Sequence, residues 1–379
     1  MDFALTEDQQ IFQRMVRDFA TNEIEPVAAQ VDEEEKFPAE NVRKMAELGL
    51  MGVSIAEEYG GSGGDSMHLV IATEEIARAC ASTSTIFLAS LSLACYPIYL
   101  FGTEEQKRRF VVPVAKGQKL ACFALTEPGA GSDAAAIQTT ATLRGDHYVL
   151  DGTKTFITNG AEADIAVVFA TADKSLRHKG IVALMVEKGT PGFSVGKKER
   201  KLGVRGSSTA ELVFQSCQVP VGNRLGEEGG GFKVAMGAID ASRINVAAQA
   251  VGIARAGLEA SLAYAQDRQQ FGRAISGFQA VQWMLADMAT QVDAARLLAY
   301  RAAFLKNQGL PYLKEAAMAK LFAAETAMSV TTKAVQIHGG YGYIKDYPVE
   351  RYFRDAKITE IYEGTSEMQR MTIAKQLIG

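Results

Sequence analysis

Residues 165–186 read IAVVFATADKSLRHKGIVALMV, two six-residue apolar runs separated by ten mostly polar residues. Short runs rich in valine and isoleucine and bounded by turn residues are typical of β-strands. Turn sequences also flank the pair, RGD at 144–146 and TPG at 190–192. No helical pattern alternates with these strands, which argues against a parallel doubly wound sheet. The stretch therefore favours an antiparallel sheet or a small barrel.

The sequence on both sides of this β region is helical. Before residue 120, apolar residues recur at helical spacing, and a helix over residues 39–48 ends at Gly49. We predict three long helices farther on, and a shorter fourth that opens with a capping box of Ser366 and Gln369. The long helices are predicted over residues 232–268, 278–307 and 313–337. Long helices with short connections favour an antiparallel bundle.

These shifts in composition predict a mainly α protein with an inserted antiparallel β-barrel domain. The chain of 379 residues is long enough for two or three packed units. We predict an N-terminal helical domain over residues 1–120, a β-barrel domain over 121–228, and a C-terminal four-helix bundle over 229–379. The two helical units are expected to pack together.

The bulk composition argues against several functions. A net charge of −4 without basic runs gives no reason to expect a nucleic-acid partner. The four cysteines contain no C-x-x-C pair, and the four histidines are scattered, so no metal site is predicted. The cysteines are Cys80, Cys95, Cys122 and Cys217. They are interpreted as reduced and mostly buried, in a cytoplasmic protein, and the first eight residues do not resemble a signal peptide.

A stretch without charged residues, 79–103, raises the question of membrane insertion. Its centre is apolar, but six serine and threonine residues dilute it and Pro97 interrupts it. A membrane-spanning helix needs about 20 predominantly apolar residues. We interpret the stretch as a buried helix that lines a cavity, and we predict no membrane association.

A nine-residue segment at 125–133, LTEPGAGSD, leaves a predicted strand and carries two glycines. Such glycines let backbone N–H groups approach an anionic or electron-rich ligand, although an ordinary surface turn has the same composition. The segment is not a dinucleotide fingerprint, because the last glycine and the βαβ context are missing. Residues 192–197 are likewise not a phosphate loop, since they are one residue short and lack a hydroxyl after the lysine.

Four further segments follow this nonapeptide along the chain. They are FITNG at 156–160, RQQFG at 268–272, QIHGGYGY at 336–343 and IYEGTS at 361–366. Taken alone, RQQFG also fits the end of a helix, with an arginine near the negative end of the helix dipole and a glycine at the cap. Taken alone, Glu363 also fits an exposed carboxylate in a loop. Together and in this order, the five segments resemble the acyl-CoA dehydrogenase family over nearly the whole chain. The amino-acid sequence is most similar to that of the family's short-chain, butyryl-CoA members.

The resemblance implies a bound FAD and assigns residues to it. The residues assigned to the cofactor are Leu125, Thr126, Ser132, Phe156, Thr158, Arg268, Phe271, Gln279, Gln336, Gly340, Gly364 and Thr365. Those assigned to acyl-CoA are Ser132, Asp240 and Arg243. In the family, the segments around Arg268 and Gln336 reach the FAD of a neighbouring subunit. The resemblance therefore implies a homo-oligomer, usually a tetramer.

The resemblance assigns Glu363 the role of catalytic base. Dehydrogenation of an acyl thioester removes an α-proton and a β-hydride, and the α-carbon is a very weak acid, so the base must be desolvated. Some members carry the base at a position that corresponds to Ser242 here, which leaves Glu363 as the matched candidate. The predicted reaction oxidises a short-chain acyl-CoA to its trans-2-enoyl-CoA and passes electrons to an electron-transferring flavoprotein.

The acyl group is less well defined by the sequence. Residues 79–103 offer no charge to pair with a distal carboxylate, which favours an uncharged acyl group. Asn245 stands where the short-chain members usually have glycine, so branched or alicyclic acyl groups remain open. An acyl-CoA oxidase and an enzyme that reduces enoyl-CoA are alternatives within the same chemistry. A non-catalytic helical scaffold is an alternative of another class, and it would not need Thr158, Arg268 and Glu363 at these spacings.

Overall fold

Three regions follow one another along the chain, in the predicted order of helices, sheet and helices. The structure, a computed structural model, describes residues 4–379. The prediction that the chain does not begin with a signal peptide depends in part on residues 1–3, which lie outside the described residues.

Short helices build the N-terminal region. They are α1 (Glu7–Phe19), α2 (Ala28–Glu33), α3 (Ala39–Glu47), α4 (Ser66–Ala79), α5 (Ala81–Leu88), α6 (Tyr96–Phe101), α7 (Glu104–Gln106) and α8 (Val112–Ala115). The predicted end of α3 at Gly49 is confirmed, because Gly49 has a φ of 72°, a left-handed conformation that glycine adopts without steric cost. Asp65 caps α4 by accepting hydrogen bonds from the N–H groups of Met67 and His68, at 2.9 and 3.1 Å.

The charge-free stretch is helical from α5 through a π-helical segment, Ala89–Cys95, to the end of α6. By length and composition the helix from Ala81 to Phe101 could cross a membrane, with a mean hydropathy of 1.6. However, 72% of its most apolar 18-residue segment is buried inside the protein. The stretch packs against the first strand of the sheet and against the first long C-terminal helix. It is therefore a core helix of this fold, as predicted.

The middle region is one sheet. Its strands are β1 (Ala121–Ala124), β2 (Thr140–Arg144), β3 (His147–Thr158), β4 (Ile165–Thr171), β5 (Ile181–Glu187), β6 (Phe193–Lys198), β7 (Thr209–Pro220) and β8 (Arg224–Leu225). The two apolar runs at 165–186 form β4 and β5, which pair antiparallel with Ile165 opposite Glu187. The strand order is β6-β7-β3-β2-β4-β5-β8, and β1 pairs with β4.

The sheet is open and does not close into the predicted barrel. Its end strands, β6 and β8, lie at opposite ends of the strand order and do not pair. The strand β8 has only two residues before the chain turns towards a helix, so it offers a short edge for pairing. Most residues of β6, at the other end of the sheet, are exposed to solvent. The pairing is also not antiparallel throughout, because β1 and β2 each pair with β4 in parallel.

The C-terminal region is helical and contains one small hairpin. Its elements are α9 (Gly231–Asp267), β9 (Gln269–Gln270), β10 (Arg273–Ala274), α10 (Gln279–Asn307), α11 (Leu313–His338), α12 (Val349–Ala356) and α13 (Ser366–Ile378). The helices α9, α10 and α11 pack on one another, and α13 packs on α11. The three predicted long helices are therefore confirmed.

The two helical regions pack together along α4 and α9, as predicted. A Cβ at Gly252 of α9 would lie 2.4 Å from the carbonyl oxygen of Glu74 on α4, so only glycine permits this close approach. Arg255 pairs with Glu74 and Glu75 at 3.2 and 2.9 Å, and Arg296 pairs with Glu74 at 2.9 Å. The buried carboxylates are thus matched by cations from two other helices, and α9 is fixed relative to α4.

One local prediction at a chain turn is wrong, and one part of an alternative interpretation does not hold. The helix α13 begins at Ser366, but its N-cap is Thr365, whose hydroxyl accepts from the N–H of Met368. Gln369 does not complete a capping box and binds carbonyl groups of the preceding turn instead. Gly272 is not a helix cap: with Phe271 it forms the two-residue turn of the β9–β10 hairpin, at φ values of 76° and 52°. Paired positive φ values are typical of such turns.

The cysteines are buried and unpaired, as the sequence predicts. Burial raises the pKa of the Cys95 and Cys122 thiols to about 12. Among residues 4–379, no group of three or more His, Cys, Asp and Glu side chains is arranged to hold a metal ion.

Candidate active site

The turn between α12 and α13 carries Glu363 in an unusual backbone conformation. Glu363 has a φ of 53° and Gly364 a φ of 93°. A non-glycine residue in this region costs about 1–3 kcal/mol unless its surroundings hold it there. The contacts of this turn therefore matter for where the Glu363 side chain points.

Two side chains hold the carbonyl groups of this turn. Lys320 of α11, which is fully buried, donates from Nζ to the carbonyl oxygen of Gly364 at 2.7 Å. Gln369 of α13 donates from Nε2 to the same oxygen at 2.8 Å and to the carbonyl oxygen of Glu363 at 3.3 Å. The turn is thus bonded to the helix behind it and to the helix that follows it.

The carboxyl group of Glu363 is desolvated. Its Oε2 atom is buried and has no hydrogen-bond partner among the described residues. Burial raises the pKa of Glu363 to about 7, against the opposing effects of the Ser242 hydroxyl, the Lys320 ammonium and the Arg243 guanidinium. The Ser242 hydroxyl faces the carboxyl, but it too lacks a hydrogen bond of normal geometry within residues 4–379. A carboxyl that titrates near neutral pH is suited to accept a proton from a weak carbon acid.

The helix α9 presents two predicted substrate residues to this turn. Arg243 donates from Nη1 to Oδ1 of Asp240 at 2.8 Å. A Cβ at Gly364 would lie 3.7 Å from Nη2 of Arg243, so the guanidinium stands beside the turn. Burial lowers the pKa of Arg243 and raises that of Asp240. The structure therefore brings Asp240, Arg243 and Glu363 together.

The same face of α9 contacts the charge-free stretch through polar side chains. Asn245 donates from Nδ2 to the hydroxyl of Ser92 at 2.6 Å. One turn farther along α9, Gln249 donates to the hydroxyl of Thr85 at 2.8 Å and accepts a hydrogen bond from the hydroxyl of Tyr362. Ser242, Asn245 and Gln249 are spaced by three and four residues, which places them on one helix face. The neighbours of Glu363 are thus joined to the core of the N-terminal region.

A second group of predicted residues gathers at the end of β3. The N–H of Thr155 donates to the carbonyl oxygen of Thr126 at 2.9 Å, which joins the nonapeptide to this strand. The pairing of β3 with β7 is irregular between Lys154 and Ile157. Within this irregularity Phe156 has a φ of 57°, and its side chain is 63% exposed. Thr126 and Thr158 are partly exposed nearby.

A buried ion pair fixes the nonapeptide from behind. Lys154, which is fully buried, donates from Nζ to the carbonyl oxygen of Leu125 at 3.0 Å and to Oε1 of Glu127 at 2.7 Å. Glu127 also accepts from the N–H groups of Gln138 and Thr139, at 2.5 and 2.9 Å. Burial lowers the pKa of Lys154 to about 8. Leu125 is thereby buried, whereas Ser132 at the far end of the segment is exposed.

These residues fit a flat aromatic ligand with polar edges, as the predicted FAD requires. Phe156 is exposed and Thr158 is partly exposed at the end of β3, and Thr126 is partly exposed on the nonapeptide that is bonded to this strand. A Cβ at Gly129 or Gly131 would meet no other residue within 4 Å, so the backbone of the nonapeptide faces open space. Open backbone N–H groups can accept an anionic part of a ligand.

The predicted cofactor residues outside the nonapeptide, the end of β3 and the Glu363 turn form a separate group that is mostly exposed. Phe271 is 94% exposed at the tip of the β9–β10 hairpin. Arg268 lies with its guanidinium carbon 5.4 Å from the centre of the Tyr341 ring, in the turn that follows α11. Gln279, Gln336 and Gly340 are also exposed. Among residues 4–379, no hydrogen bond or ion pair joins this group to Glu363 or to the nonapeptide.

A cavity opens next to Asp240, at the start of α9. Its volume is about 470 Å³. Apolar side chains of Phe232 and Met236 line it together with the cationic side chains of Lys179 and Lys233. The sequence interpretation did not assign these two lysines to a site.

Three positioning side chains were also missed from the sequence: Lys154, Lys320 and Gln369. For Lys320 a signal exists, because it is the one charged residue in the run AAMAKLFAA at 316–324. A lysine is almost never buried without a partner group. For Lys154, no pattern in the local sequence distinguishes a buried lysine from an exposed one in the same strand.

Three family models match the chain in order along its length. The acyl-CoA dehydrogenase N-terminal domain matches residues 6–118, the middle domain matches residues 122–217, and the C-terminal domain matches residues 229–378. Together these models cover most of the chain.

Relatives of known name cover the whole chain. The short-chain-specific acyl-CoA dehydrogenase of Clostridium acetobutylicum is 54% identical over 377 residues, which is 100% of both chains. The structure of butyryl-CoA dehydrogenase from Megasphaera elsdenii is 48% identical, with a TM-score of 0.98 and 100% of both chains covered. A chain from structural work on the electron-transferring flavoprotein of Acidaminococcus fermentans is 52% identical, with a TM-score of 0.99 and 100% of both chains covered.

Proposed function

The chain belongs to the acyl-CoA dehydrogenase family, and we propose that it acts on a short-chain, uncharged acyl-CoA with Glu363 as the catalytic base. It is an FAD-dependent enzyme that dehydrogenates acyl-CoA to trans-2-enoyl-CoA. The observation that carries the base assignment is the buried, unpartnered Oε2 of Glu363 on a turn with positive φ values. Its pKa of about 7 supports the same role.

Glu363 takes the α-proton of the substrate onto its carboxylate. Near neutral pH a substantial fraction of the carboxyl is ionised and ready to accept it, because burial raises its pKa to about 7. The negative charge that develops on the thioester carbonyl oxygen requires a hydrogen-bond donor, and we assign this role to the backbone N–H of Glu363. When FAD is bound, it accepts the hydride that leaves the β-carbon.

The cofactor is held from two sides in this proposal. Phe156, Thr126 and Thr158 of one chain face the ring, which the exposure of the end of β3 and of the nonapeptide bonded to it supports. The exposed group around Arg268 and Phe271 serves the cofactor of a neighbouring copy, together with Gln279, Gln336 and Gly340. The nearly complete exposure of the Phe271 ring supports this arrangement, because a bare aromatic side chain is typical of a contact surface. The proposed assembly is a homotetramer.

The CoA portion of the substrate fits the cavity beside Asp240. Lys179 and Lys233 supply positive charge for its phosphates, and the apolar side chains of Phe232 and Met236 can cover its uncharged parts. Ser132, Asp240 and Arg243 remain the proposed contacts nearer to the thioester. The acyl group itself is uncharged in this proposal, because the stretch that faces α9 contains no ion to pair with a carboxylate.

The electron acceptor is an electron-transferring flavoprotein. The structural neighbour from Acidaminococcus fermentans, which comes from work on such a flavoprotein, supports this partner. The same likeness favours a dehydrogenase over an oxidase.

The experiment is an anaerobic visible spectrum of the purified, FAD-loaded protein before and after addition of butyryl-CoA. We expect the yellow flavin to bleach in the natural protein. Glu363→Gln should retain FAD and bind acyl-CoA, but its flavin should be reduced about a thousandfold more slowly, because the proton acceptor is lost. The matched control is Glu367→Gln, which neutralises an exposed carboxylate four residues away and should bleach normally.

Other outcomes correct the proposal at different levels. A yellow protein that does not bleach with butyryl-CoA keeps the cofactor and moves the substrate to another acyl group, to be identified with a panel of CoA esters. Rapid bleaching of Glu363→Gln contradicts the base assignment. A protein that stays colourless and cannot be loaded with FAD contradicts the function as a whole.

A further inference from the structure

Lys320 is a buried cation whose charge is not matched by an ion pair. Its ammonium group donates to the carbonyl oxygen of Gly364 at 2.7 Å, and no carboxylate among the described residues pairs with it. By contrast, Arg255 and Arg296, which face the buried carboxylates of α4, are paired with them. Burying an unpaired ammonium group is costly, so the position of this lysine calls for an explanation.

The hydrogen bond alone does not explain a lysine at this site. The carbonyl oxygen of Gly364 already accepts from Gln369 at 2.8 Å, so it would be satisfied without Lys320. A neutral or apolar side chain could therefore occupy this position of α11 with less loss of hydration. What Lys320 adds beyond the hydrogen bond is a positive charge next to the turn that carries Glu363.

The charged groups around Lys320 identify what this charge acts on. The negative groups that stabilise the charged form of Lys320 are Glu363 first, then Glu360 and Glu367, while Arg243 opposes it. Glu360 is paired with another cation, Lys357, at 2.5 Å, and Glu367 lies exposed in the first turn of α13, where solvent screens its charge. Glu363 is the member of this set whose carboxyl oxygen Oε2 is buried.

We propose that Lys320 is a positioning residue for the base, which holds the Glu363–Gly364 turn by its hydrogen bond and favours the ionised carboxylate by its charge. This inference rests on the proposed role of Glu363. The carboxyl of Glu363 faces Ser242, Lys320 and Arg243, of which the two cations both favour its ionised form. Arg243 is already paired with Asp240 at 2.8 Å, so part of its charge is compensated, whereas the charge of Lys320 is free to act on Glu363.

The expected direction follows from the charges. A positive charge near a carboxyl lowers its pKa, so removal of Lys320 should raise the pKa of Glu363 above its present value of about 7. A larger share of the carboxyl would then be protonated at neutral pH and unable to accept the α-proton. The loss would disappear at higher pH, where the carboxyl of the variant is ionised again.

The test compares FAD-loaded natural protein with Lys320→Met, Lys320→Arg and a control, Lys333→Met. Lys333 lies on the same helix and pairs with Asp287 at the surface at 3.5 Å, so its loss removes a charge of equal size away from Glu363. Two quantities are measured between about pH 5 and about pH 9. One is the rate of anaerobic flavin reduction by butyryl-CoA, and the other is the infrared band of the protonated carboxyl, taken as a difference against Glu363→Gln.

In Lys320→Met we expect both titration midpoints to rise by about one pH unit. The rate near pH 7 should fall several-fold, up to about tenfold, and should recover at higher pH. Lys320→Arg keeps the charge and should keep the natural midpoint, as should Lys333→Met. Midpoints that are unchanged in Lys320→Met, or raised equally in Lys320→Arg, would overturn the proposal.

The same set of variants also covers two other cases, a substitution that prevents folding and a failure of the proposed function. If Lys320→Met does not fold, Lys320→Gln takes its place, since its amide can donate without carrying a charge. If neither folds while Lys320→Arg does, Lys320 supports the fold rather than the base, and the proposal is overturned. Failure of the proposed function is recognised separately, because the natural protein and Glu363→Gln would then behave alike with every CoA ester of the panel. If another acyl-CoA bleaches the natural flavin, that ester replaces butyryl-CoA in this test.

Discussion

A fully buried lysine stands behind each half of the candidate site, but the two lysines are compensated in different ways. In the middle region, Lys154 donates to the carbonyl oxygen of Leu125 and forms an ion pair with Glu127 at 2.7 Å. In the C-terminal region, Lys320 donates to the carbonyl oxygen of Gly364 and has no such pair among the described residues. Burial lowers the pKa of both to about 8.

This difference separates a structural lysine, Lys154, from the lysine that we propose to act on the base, Lys320. The charge of Lys154 is used within the fold, because its carboxylate partner is buried with it and bonded to the backbone as well. The charge of Lys320 has the carboxyl of Glu363 as its first electrostatic partner. We therefore expect loss of Lys154 to be seen mainly in stability and loss of Lys320 mainly in catalysis.

The largest effect is expected for Lys154→Met. The change leaves the carboxylate of Glu127 buried without its cation, which costs about 3–5 kcal/mol in buried pairs of this kind. Chemical denaturation of the FAD-loaded protein measures the loss, with Lys188→Met, an exposed lysine of the same region, as control. Lys320→Met should cost clearly less. Equal losses in the two variants would remove the distinction between the lysines.

A smaller effect concerns the pH dependence of catalysis. The pKa of Glu363 is raised from 4.5 to about 7 in the folded protein, so the proposed base is mostly protonated below pH 7 and ionised above it. We expect kcat/KM for flavin reduction to fall about tenfold for each pH unit below this midpoint. Lys154→Met, where it remains folded, should leave the midpoint unchanged. A flat profile between about pH 5 and about pH 8 would contradict both the raised pKa and the comparison.

The smallest effect is expected for Thr365→Ala, at the N-cap of α13. Its hydroxyl accepts from the N–H of Met368 at 3.4 Å, and loss of such a cap costs about 1 kcal/mol. The melting temperature of the FAD-loaded protein should fall slightly, while the pH midpoint of flavin reduction should stay in place, since Lys320 and Gln369 still hold the turn. Because Thr365 is also assigned to the cofactor, FAD content is matched between the proteins before the comparison. Thr372→Ala, in the middle of the same helix, serves as control. A shifted midpoint in Thr365→Ala would show that the cap, too, positions the base.

Much of the fold was predictable because its signals are local. The two apolar runs at 165–186 and the long helices are defined by residues that are near one another in the chain. Closure of the sheet is not local: it depends on whether β6 and β8 can pair, and their own sequences do not reveal that they lie at opposite ends of the strand order. The parallel pairing of β1 with β4 likewise joins segments about 40 residues apart, such as Cys122 and Ala166.

The candidate site was predictable where a motif marks it and not where a helix contributes a single side chain. The resemblance assigned Asp240, Arg243 and Glu363 to the site, and in the structure these residues lie close together. Lys320 was missed because the pattern of α11 indicates only a buried helix, and the turn that it holds lies 44 residues farther along the chain. The capping box predicted at Ser366 failed for a related reason, since Gln369 binds the turn instead of the helix end.

The left-handed backbone of Glu363 sets stability and activity against each other at one position. Glycine would adopt a φ of 53° without steric cost, whereas glutamate holds it at an expense that neighbouring contacts offset. Replacement of Glu363 by glycine would therefore raise the stability of the folded protein and remove its proposed proton acceptor. With Glu363 as the proposed base, we expect catalysis at position 363 to hold the chain below its attainable stability.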